Sequence, residues 1–135
     1  MKSKITLLLL SFVLSASVQA QTATNQTETP EDVVNRQLDA YNSRDIDQFV
    51  ATYSEDIKIY NSKNELIMDG HEQLRKRYEN LFKNTPNLHC KIENRIIINN
   101  KVIDKERVTA NDRIIEAVAV YEVTDGKIIK VTFID

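Results

Sequence analysis

The sequence predicts an α+β domain in which three N-terminal helices pack on a curved, mostly antiparallel β-sheet. Two observations favour this class. Helix-capping signals occur three times before Pro86, and β-branched runs separated by tight-turn dipeptides occupy the chain after it. Helices that come first and a strand meander that comes last are typical of an α+β fold with the helices on one sheet face.

Residues 1–20 have the three-part layout of a secretory signal peptide. Lys2 and Lys4 give a positive start, an apolar run occupies residues 5–18, and Ala20 completes a cleavage site of small side chains. The apolar run is short for a membrane-spanning helix and is followed at once by polar residues. We therefore expect a periplasmic or secreted protein that has no membrane attachment once the signal is removed.

The rest of the chain predicts a flexible leader at residues 21–29, which are polar and unpatterned, and one domain at residues 30–135. Loss of two lysines with the signal peptide takes the formal net charge from −2 to −4. A mildly acidic domain without a basic run is a poor nucleic-acid binder. We therefore expect a small organic molecule as the partner, and no nucleic acid.

Cys90 is the only cysteine, so the domain has no internal disulfide and must be held together by its core. His71 and His89 lie far apart in sequence, and neither has a ligand-like spacing to a second metal-binding residue. We therefore expect neither a metal nor another cofactor. Cys90 is predicted to be a small core residue rather than a nucleophile, because His89 points to the opposite side of the same strand.

The first two helices are predicted from their caps. Thr29 offers a capping hydroxyl before Pro30 and a first turn with acidic residues, which predicts a helix to about Asn42. Asp45 and Gln48 resemble a capping box that opens a second helix. The side chains predicted to face the core are Val34, Leu38 and Tyr41 in the first helix and Ile46, Phe49, Val50 and Tyr53 in the second.

The third helix is predicted to begin at a further capping box, Asp69 with Glu72, and to end before Pro86. Its inward stripe is predicted to consist of Leu74, Tyr78, Leu81 and Phe82. Between the second and third helices, residues 57–60 and 65–68 predict a short strand pair. The later strands are predicted at residues 92–98, 102–108, 114–123 and 128–134.

Three dipeptides between the later strands suit two-residue hairpin turns, because Asn, Asp and Gly tolerate positive φ: Asn99-Asn100, Asn111-Asp112 and Asp125-Gly126. Counting outward from such turns fixes the register. The predicted pairs are Ile96 with Ile103, Arg95 with Asp104, Arg107 with Glu116, Lys105 with Val118, Val120 with Val131, and Val118 with Phe133.

This register divides the strand residues between two faces. The predicted helix-covered face carries Cys90, Ile92, Ile96, Ile98, Ile103, Val118, Val120, Ile129, Val131 and Phe133, together with Lys105, Arg107 and Glu116. The predicted outer face carries Arg95, Asp104, Glu106, Ala117, Ala119, Tyr121, Lys130, Thr132 and Ile134. The small apolar centre of that outer face predicts a homodimer surface, and an ordinary exposed sheet face is the alternative.

Three stretches resemble the NTF2-like superfamily. Residues 42–56 are similar to the entry through its first two helices. Residues 69–74 are similar to the Gly-x-Glu-x-Leu opening of its third helix, and residues 122–131 to its final hairpin. Within the superfamily, the chain is most similar to SnoaL-like and ketosteroid-isomerase-like domains, over roughly residues 31–135. The resemblance implies the cone-shaped NTF2-like arrangement of helices on sheet.

The resemblance does not carry over the isomerase chemistry. That enzyme uses a carboxylate base, together with a tyrosine and a protonated aspartic acid that stabilise the enolate. The base position falls on Asn61, the tyrosine position on Gln37, and the aspartate position near Val118. Two supporting tyrosines of the isomerase pocket are matched by Tyr53 and Tyr78, and for Tyr53 plain core packing is the alternative.

The candidate catalytic residues are Glu116 and Arg107, which the register places opposite each other on the predicted helix-covered face. Two charges there must pair or line a wet cavity. Glu116 would act as acceptor or base and Arg107 as an anion clamp, and a structural ion pair is the alternative. The candidate substrate-binding residues are Gln37, Tyr41, Asn61, Tyr78 and Lys105.

These features predict an exported SnoaL-like domain with a small-molecule pocket and isomerase- or cyclase-like acid–base chemistry. Two alternatives remain open. In one, the pocket binds a ligand without converting it, and in the other, the domain serves as a dimerisation or interaction module through its outer sheet face.

Overall fold

The computed structural model describes residues 27–134, so the predicted signal peptide and most of the predicted leader lie outside the described residues. The helices and strands follow in the order α1 (Pro30–Ser43), α2 (Ile46–Ala51), β1 (Tyr53–Tyr60), β2 (Leu66–Asp69), α3 (Gly70–Asn84), β3 (His89–Ile98), β4 (Lys101–Ala110), β5 (Arg113–Thr124) and β6 (Lys127–Ile134). The three helices pack on a six-stranded, curved and open sheet, which confirms the predicted fold class.

The strand order in the sheet is β2-β1-β6-β5-β4-β3. All neighbours are antiparallel except β1 and β6, which run parallel. The last four strands form the predicted meander. The helical layer lies against one face of this sheet, and the site described below lies between the two layers.

Two of the three residues predicted to cap the start of a helix do so through their side chains. The Thr29 hydroxyl accepts a hydrogen bond from the Asp32 amide, and the Asp32 carboxylate accepts one from the Thr29 amide. Asp45 accepts a hydrogen bond from the Gln48 amide at 3.0 Å. At α3 the predicted Asp69 cap is wrong, because the Asp69 carboxylate instead binds Lys58.

The helical layer is held by a cluster of aromatic rings. Phe49 of α2 is fully buried, and its ring centroid lies 5.1 Å from that of Tyr53 and 4.5 Å from that of Tyr78. Phe82 of α3 packs edge-on against Tyr41 of α1, with 5.6 Å between the ring centroids. The prediction that Tyr53 belongs to the second helix is wrong, because α2 ends two residues earlier and Tyr53 is the first residue of β1.

The predicted register is confirmed in two hairpins and wrong in the third. Asn99, Asn111 and Asp125 all have positive φ, as expected for tight turns. Between β5 and β6, however, Glu122 pairs with Lys130 while Val123 pairs with Ile128, which leaves Ile129 as an extra residue. This bulge shifts the pairing beyond it, so that Val120 lies opposite Thr132 and Val118 lies opposite Ile134.

The two sheet faces are exchanged relative to the prediction. Ala119, Tyr121, Asp104 and Glu106, predicted to be on the outer face, are buried beneath the helices. Ile96, predicted to be in the core, is 55% exposed. Six residues predicted to be in the core lie instead on the sheet face away from the helices or, for Ile129, in the bulge: Ile96, Ile98, Ile103, Val118, Val120 and Ile129. Both faces carry apolar residues, so alternation alone did not identify the face that the helices cover.

Two bulges explain why other predicted core residues do face the helices. In β3 the register shifts between Ile92 and Asn94, so Cys90 and Ile92 lie on the inner face although Ile96 does not. In β6 the shift after Ile128 brings Val131 and Phe133 to the inner side, opposite Tyr121 and Ala119. Each bulge therefore reverses the alternation of the residues beyond it.

A buried ion pair joins α1 to the sheet. Asp104 is 1% exposed, and its two carboxylate oxygens accept hydrogen bonds from Arg95 Nε at 2.7 Å and Nη2 at 2.8 Å. Arg95 also donates to Asn35 of α1 at 2.5 Å and lies 3.6 Å from Glu31. This bidentate pair satisfies an acid that would otherwise be buried without a partner.

We predict that Asp104→Asn lowers the free energy of unfolding by about 3 kcal/mol, because it leaves the largely covered Arg95 guanidinium without its close counter-charge. The matched control is Glu116→Gln, which breaks the exposed pair with Arg107 and is expected to cost less than about 1 kcal/mol. Urea denaturation followed by circular dichroism measures both values. Equal midpoints for the two variants would contradict this account of the buried pair.

Candidate functional site

A cavity of about 470 Å³ lies between the helices and the inner sheet face. Its volume is within the range of roughly 300–1,000 Å³ that is common for small-molecule pockets. The wall is mostly apolar and aromatic, with a few polar groups. The lining residues are Gln37, Leu38, Tyr41, Tyr53, Ile67, Met68, Arg77, Tyr78, Leu81, Cys90, Glu106, Val108, Ile115, Ala117, Tyr121 and Phe133.

The position of the cavity follows from the sequence of the inner strands. Ala117 of β5 is small and lines the cavity, so the helices do not fill the space above this point of the sheet. Glu106 of β4 lies directly opposite Ala117 and projects toward the helices. Larger rings surround this point, with Tyr41 and Tyr78 contributed by the helices.

Among the described residues that line the cavity, Glu106 is the only one with a carboxylate, and it is 8% exposed. Its Oε1 accepts a hydrogen bond from the Tyr121 hydroxyl at 2.8 Å. Burial raises the pKa of Glu106 to about 7, and the Tyr121 hydrogen bond only partly opposes this shift. Both protonation states are therefore populated near neutral pH, which suits a general acid or base.

The tyrosines of the cavity remain protonated. Burial raises the pKa of Tyr41, Tyr53 and Tyr78 above the ordinary value, and for Tyr53 a hydrogen bond with Gln37 acts in the opposite direction. Each phenol can therefore donate a hydrogen bond to a ligand oxygen. Burial likewise raises the pKa of the Cys90 thiol, which keeps it protonated and argues against nucleophilic attack.

Three of the residues predicted to bind substrate do line the cavity, namely Gln37, Tyr41 and Tyr78. Asn61 does not. It lies in the turn between β1 and β2, where its side chain accepts hydrogen bonds from the Lys63 and Glu65 amides. Its amide group therefore stabilises a surface turn.

The charged residues predicted for the site lie on the outer sheet face. Arg107 and Glu116 are directly paired, as predicted, but they are about half exposed, with 2.9 Å between Arg107 Nη1 and Glu116 Oε1. Lys105 pairs with Glu93 on the same face. The prediction that these three residues face the helices is wrong, because the helices cover the opposite face.

Glu106 and Tyr121 are the site residues that the sequence analysis missed, because it took the opposite sheet face as the one that the helices cover. The available signal was the neighbourhood of Ala117 and Ala119 on the adjacent strand, since small residues beside a lone acid leave space for a ligand beneath a helical layer. Tyr53, which the resemblance matches to the isomerase pocket, does line the cavity.

Within residues 27–134, no group of three or more His, Cys, Asp or Glu side chains is arranged to hold a metal ion. In the same range, none of the helices is long and apolar enough to span a membrane. The polar side chains that line the described cavity carry carboxyl, hydroxyl, amide, guanidinium and thiol groups.

Comparison with known proteins gives one family match. The family model described as a SnoaL-like domain matches residues 34–131, which is most of the chain. The comparison with curated proteins found no match. A solved cystatin-fold protein from Novosphingobium aromaticivorans is similar with a TM-score of 0.73 and 25% identity, covering 79% of this chain and 98% of that one.

Two further solved structures are similar in fold alone. A protein from Kribbella flavida, provisionally assigned as a ketosteroid isomerase, has a TM-score of 0.68 and 20% identity, covering 80% of this chain and 78% of that one. A protein from Jannaschia, provisionally assigned as a SnoaL-like polyketide cyclase, has a TM-score of 0.63 and 18% identity, covering 77% and 83%.

The raised pKa of Glu106 predicts a pH-dependent stability. A carboxyl whose pKa is 4.5 in the unfolded chain and about 7 in the folded one stabilises the fold fully below pH 4.5, and this contribution is lost as pH rises through about 7. Wild type should therefore lose about 3 kcal/mol relative to Glu106→Gln across that interval. Urea denaturation at a series of pH values measures the difference, and parallel curves would contradict the shift. Glu116→Gln should follow wild type, because it retains Glu106.

Proposed function

The chain belongs to the SnoaL-like domain family, and we propose that it is an exported member whose cavity binds a small organic molecule and exchanges a proton with it through Glu106. The observation that carries this proposal is the Glu106 carboxyl inside the cavity, held by Tyr121 and with a pKa of about 7. A carboxyl of that pKa can both accept and return a proton at neutral pH.

The proposed reaction is of the isomerase or cyclase kind. Glu106 takes a proton from a carbon next to a ligand carbonyl, and the electron pair of the broken C–H bond moves to the carbonyl oxygen. Hydroxyl groups of Tyr41 or Tyr78 donate hydrogen bonds to that oxygen, and Glu106 then returns the proton to the rearranged product. The neighbours assigned as a ketosteroid isomerase and a polyketide cyclase support this reaction class.

This arrangement replaces the isomerase residues rather than reproducing them. The base position of the isomerase corresponds to Asn61, which lies outside the cavity, and Glu106 on β4 supplies a carboxyl from a different strand. Gln37, at the position of the isomerase tyrosine, bonds with Tyr53 instead. The proposal therefore rests on the geometry of this cavity and not on inherited catalytic positions.

The proposed proton transfer can be tested before the natural substrate is identified. We expect the protein to catalyse exchange of hydrogen for deuterium next to the carbonyl of small cyclic ketones in D₂O, measured by proton NMR. Glu106→Gln should lower the rate at least roughly 100-fold. The rate should rise with pH and level off above about pH 7, because the carboxylate form of Glu106 is the base.

Glu116→Gln is the matched control for this experiment, because it removes a carboxylate from the outer face only, and we expect the wild-type exchange rate. Equal rates for wild type and Glu106→Gln would overturn the role of Glu106. A ketone that raises the melting temperature without any catalysed exchange would favour the alternative of a binding module that does not convert its ligand.

Self-association is a second candidate function, favoured by the apolar residues of the outer sheet face. The dimer surface predicted around Ala119 and Tyr121 is wrong, because these side chains are buried. The open face carries exposed Ile96 and Ile98 of β3, and Ile103 of β4 lies directly beside Ile96. Monomers seldom expose such contiguous apolar surface. Charges of both signs on the same face, such as those of Arg107 and Glu116, allow a second copy to pair with it under two-fold symmetry.

We expect native mass spectrometry of the full-length gene product to show a dimer, and Ile96→Lys with Ile98→Lys to give a monomer that still folds, because both side chains face solvent in the single chain. The matched control is Glu79→Lys, which adds a lysine at an exposed position of α3, on the helical side of the sheet and away from its outer face. The chain mass in the same spectrum tests export, which should leave a protein that begins at Gln21. A monomeric wild type would exclude the dimer.

A further inference from the structure

The Glu106 carboxylate has no positive partner in the cavity. Among residues 27–134, the ion pairs place no lysine, arginine or histidine on Glu106. Arg95, a cation on the neighbouring strand β3, gives both of its closest carboxylate contacts to Asp104. Buried charges in proteins are normally paired, so a carboxylate that is left alone in a ligand-sized cavity is suited to a charge on the ligand.

The walls of the same cavity are rich in aromatic rings. Tyr41, Tyr53, Tyr78 and Tyr121 line it together with Phe133. The faces of such rings carry partial negative charge and attract organic cations, and this attraction grows when the site excludes water. Because burial keeps the phenols protonated, the rings themselves are neutral, and Glu106 is the one group among the lining residues that can carry negative charge near neutral pH.

From these two observations we propose that the ligand of the cavity is an organic cation, an ammonium group on an aromatic or alicyclic body, with Glu106 as its counter-charge and the tyrosine rings as its walls. The inference depends on one part of the proposed function, namely that the cavity is the ligand-binding site. It deepens that function, because a positive charge beside a ligand carbonyl makes the neighbouring C–H bond easier to deprotonate.

The other charged and titratable groups near Glu106 are compatible with a cation. Asp104 on the same strand adds negative potential, which Arg95 compensates through its bidentate pair. The Cys90 thiol on β3 stays protonated. Arg77 of α3 is the one lining residue that would repel a cation, but it is exposed at the edge of the cavity, where solvent screens its charge.

The carboxylate also retains capacity for a ligand donor. Tyr121 supplies one hydrogen bond, to Oε1, whereas an ionised carboxylate can accept about four. An ammonium N–H can therefore bind Glu106 without displacing Tyr121, and this second, charge-assisted bond would be the stronger of the two.

The test compares three probes of nearly equal size and different charge, namely phenethylammonium, 2-phenylethanol and 3-phenylpropionate. Dissociation constants are measured with the full domain by NMR titration at about pH 8, where Glu106 is ionised. We expect phenethylammonium to bind at least tenfold more tightly than the alcohol, and the propionate to bind more weakly than both. At about pH 5.5 the preference for the ammonium should shrink, because the Glu106 carboxyl then holds its proton.

Glu106→Gln should abolish the preference for the ammonium while the alcohol still binds, because the amide oxygen of the substituted side chain remains an acceptor for the Tyr121 hydroxyl. Glu116→Gln, the matched carboxylate on the outer face, should keep the full preference. A second readout needs no variant: titration of the Glu106 side chain by carbon NMR should show a lower pKa when phenethylammonium is bound.

Equal affinity for ammonium and alcohol would overturn this inference and leave the proposed function standing. Tighter binding of the propionate would overturn it in favour of anion recognition by Arg77. An ammonium preference that survives in Glu106→Gln would overturn it as well. If none of the three probes binds, the inference fails together with the cavity as a ligand site.

Discussion

The pairing of Arg95 with Asp104 allows an acid-bearing sheet face to lie beneath the helices. A strand that carries two carboxyls on its inner side would ordinarily resist burial, because each ionised acid loses its hydration. Arg95 satisfies both oxygens of Asp104 and reaches α1 through Asn35. Because Arg95 compensates the charge of Asp104, α1 can pack over β4. The neighbouring Glu106 is buried there too, and among the described side chains its only hydrogen-bonded partner is the Tyr121 hydroxyl.

The properties of the site follow from a difference between two acids on β4: Asp104 has a cationic partner and Glu106 has none. Asp104 is paired with the Arg95 guanidinium and stabilises the contact between the sheet and α1. Glu106 has no such counter-charge, so its carboxyl can interact with a ligand in the cavity. Ionisation of a carboxyl in an apolar cavity lowers the stability of the fold. The same desolvation raises the pKa of Glu106 to about 7, where the group can both accept and donate a proton near neutral pH. The fold thus keeps Glu106 in the cavity at a cost in stability when the carboxyl ionises.

The cavity and the outer face divide the apolar residues of the sheet between them. The small residue Ala117 lies inside, where it lines the cavity, and large residues such as Ile96 and Ile114 lie outside. A domain built in this way keeps a hollow core and an apolar exterior at once. The sheet therefore has one face that lines a cavity with a titratable acid and one face that is open and extended.

The sequence by itself determined the elements, the turns and the family. Caps such as Thr29 and Asp45 act within a few residues, and Asn99, Asn111 and Asp125 mark their turns by their own tolerance of positive φ. These effects depend only on residues a few positions apart, so the sequence alone is enough to recognise them. Gln37, Tyr41 and Tyr78 were found for a similar reason, because their helical positions are set by the same periodic stripes or by the resemblance.

Only the tertiary structure decided which sheet face the helices cover, and with it the identity of the acid in the site. A period of two separates the faces but does not say which is buried when both carry apolar residues. The bulges at Glu93 and Ile129 add one residue each and reverse the alternation without a sequence signal. Glu106 and Glu116 exchange places although the β4–β5 register is as predicted, because the helices cover the opposite face and burial is a property of the packed layers, not of the strand.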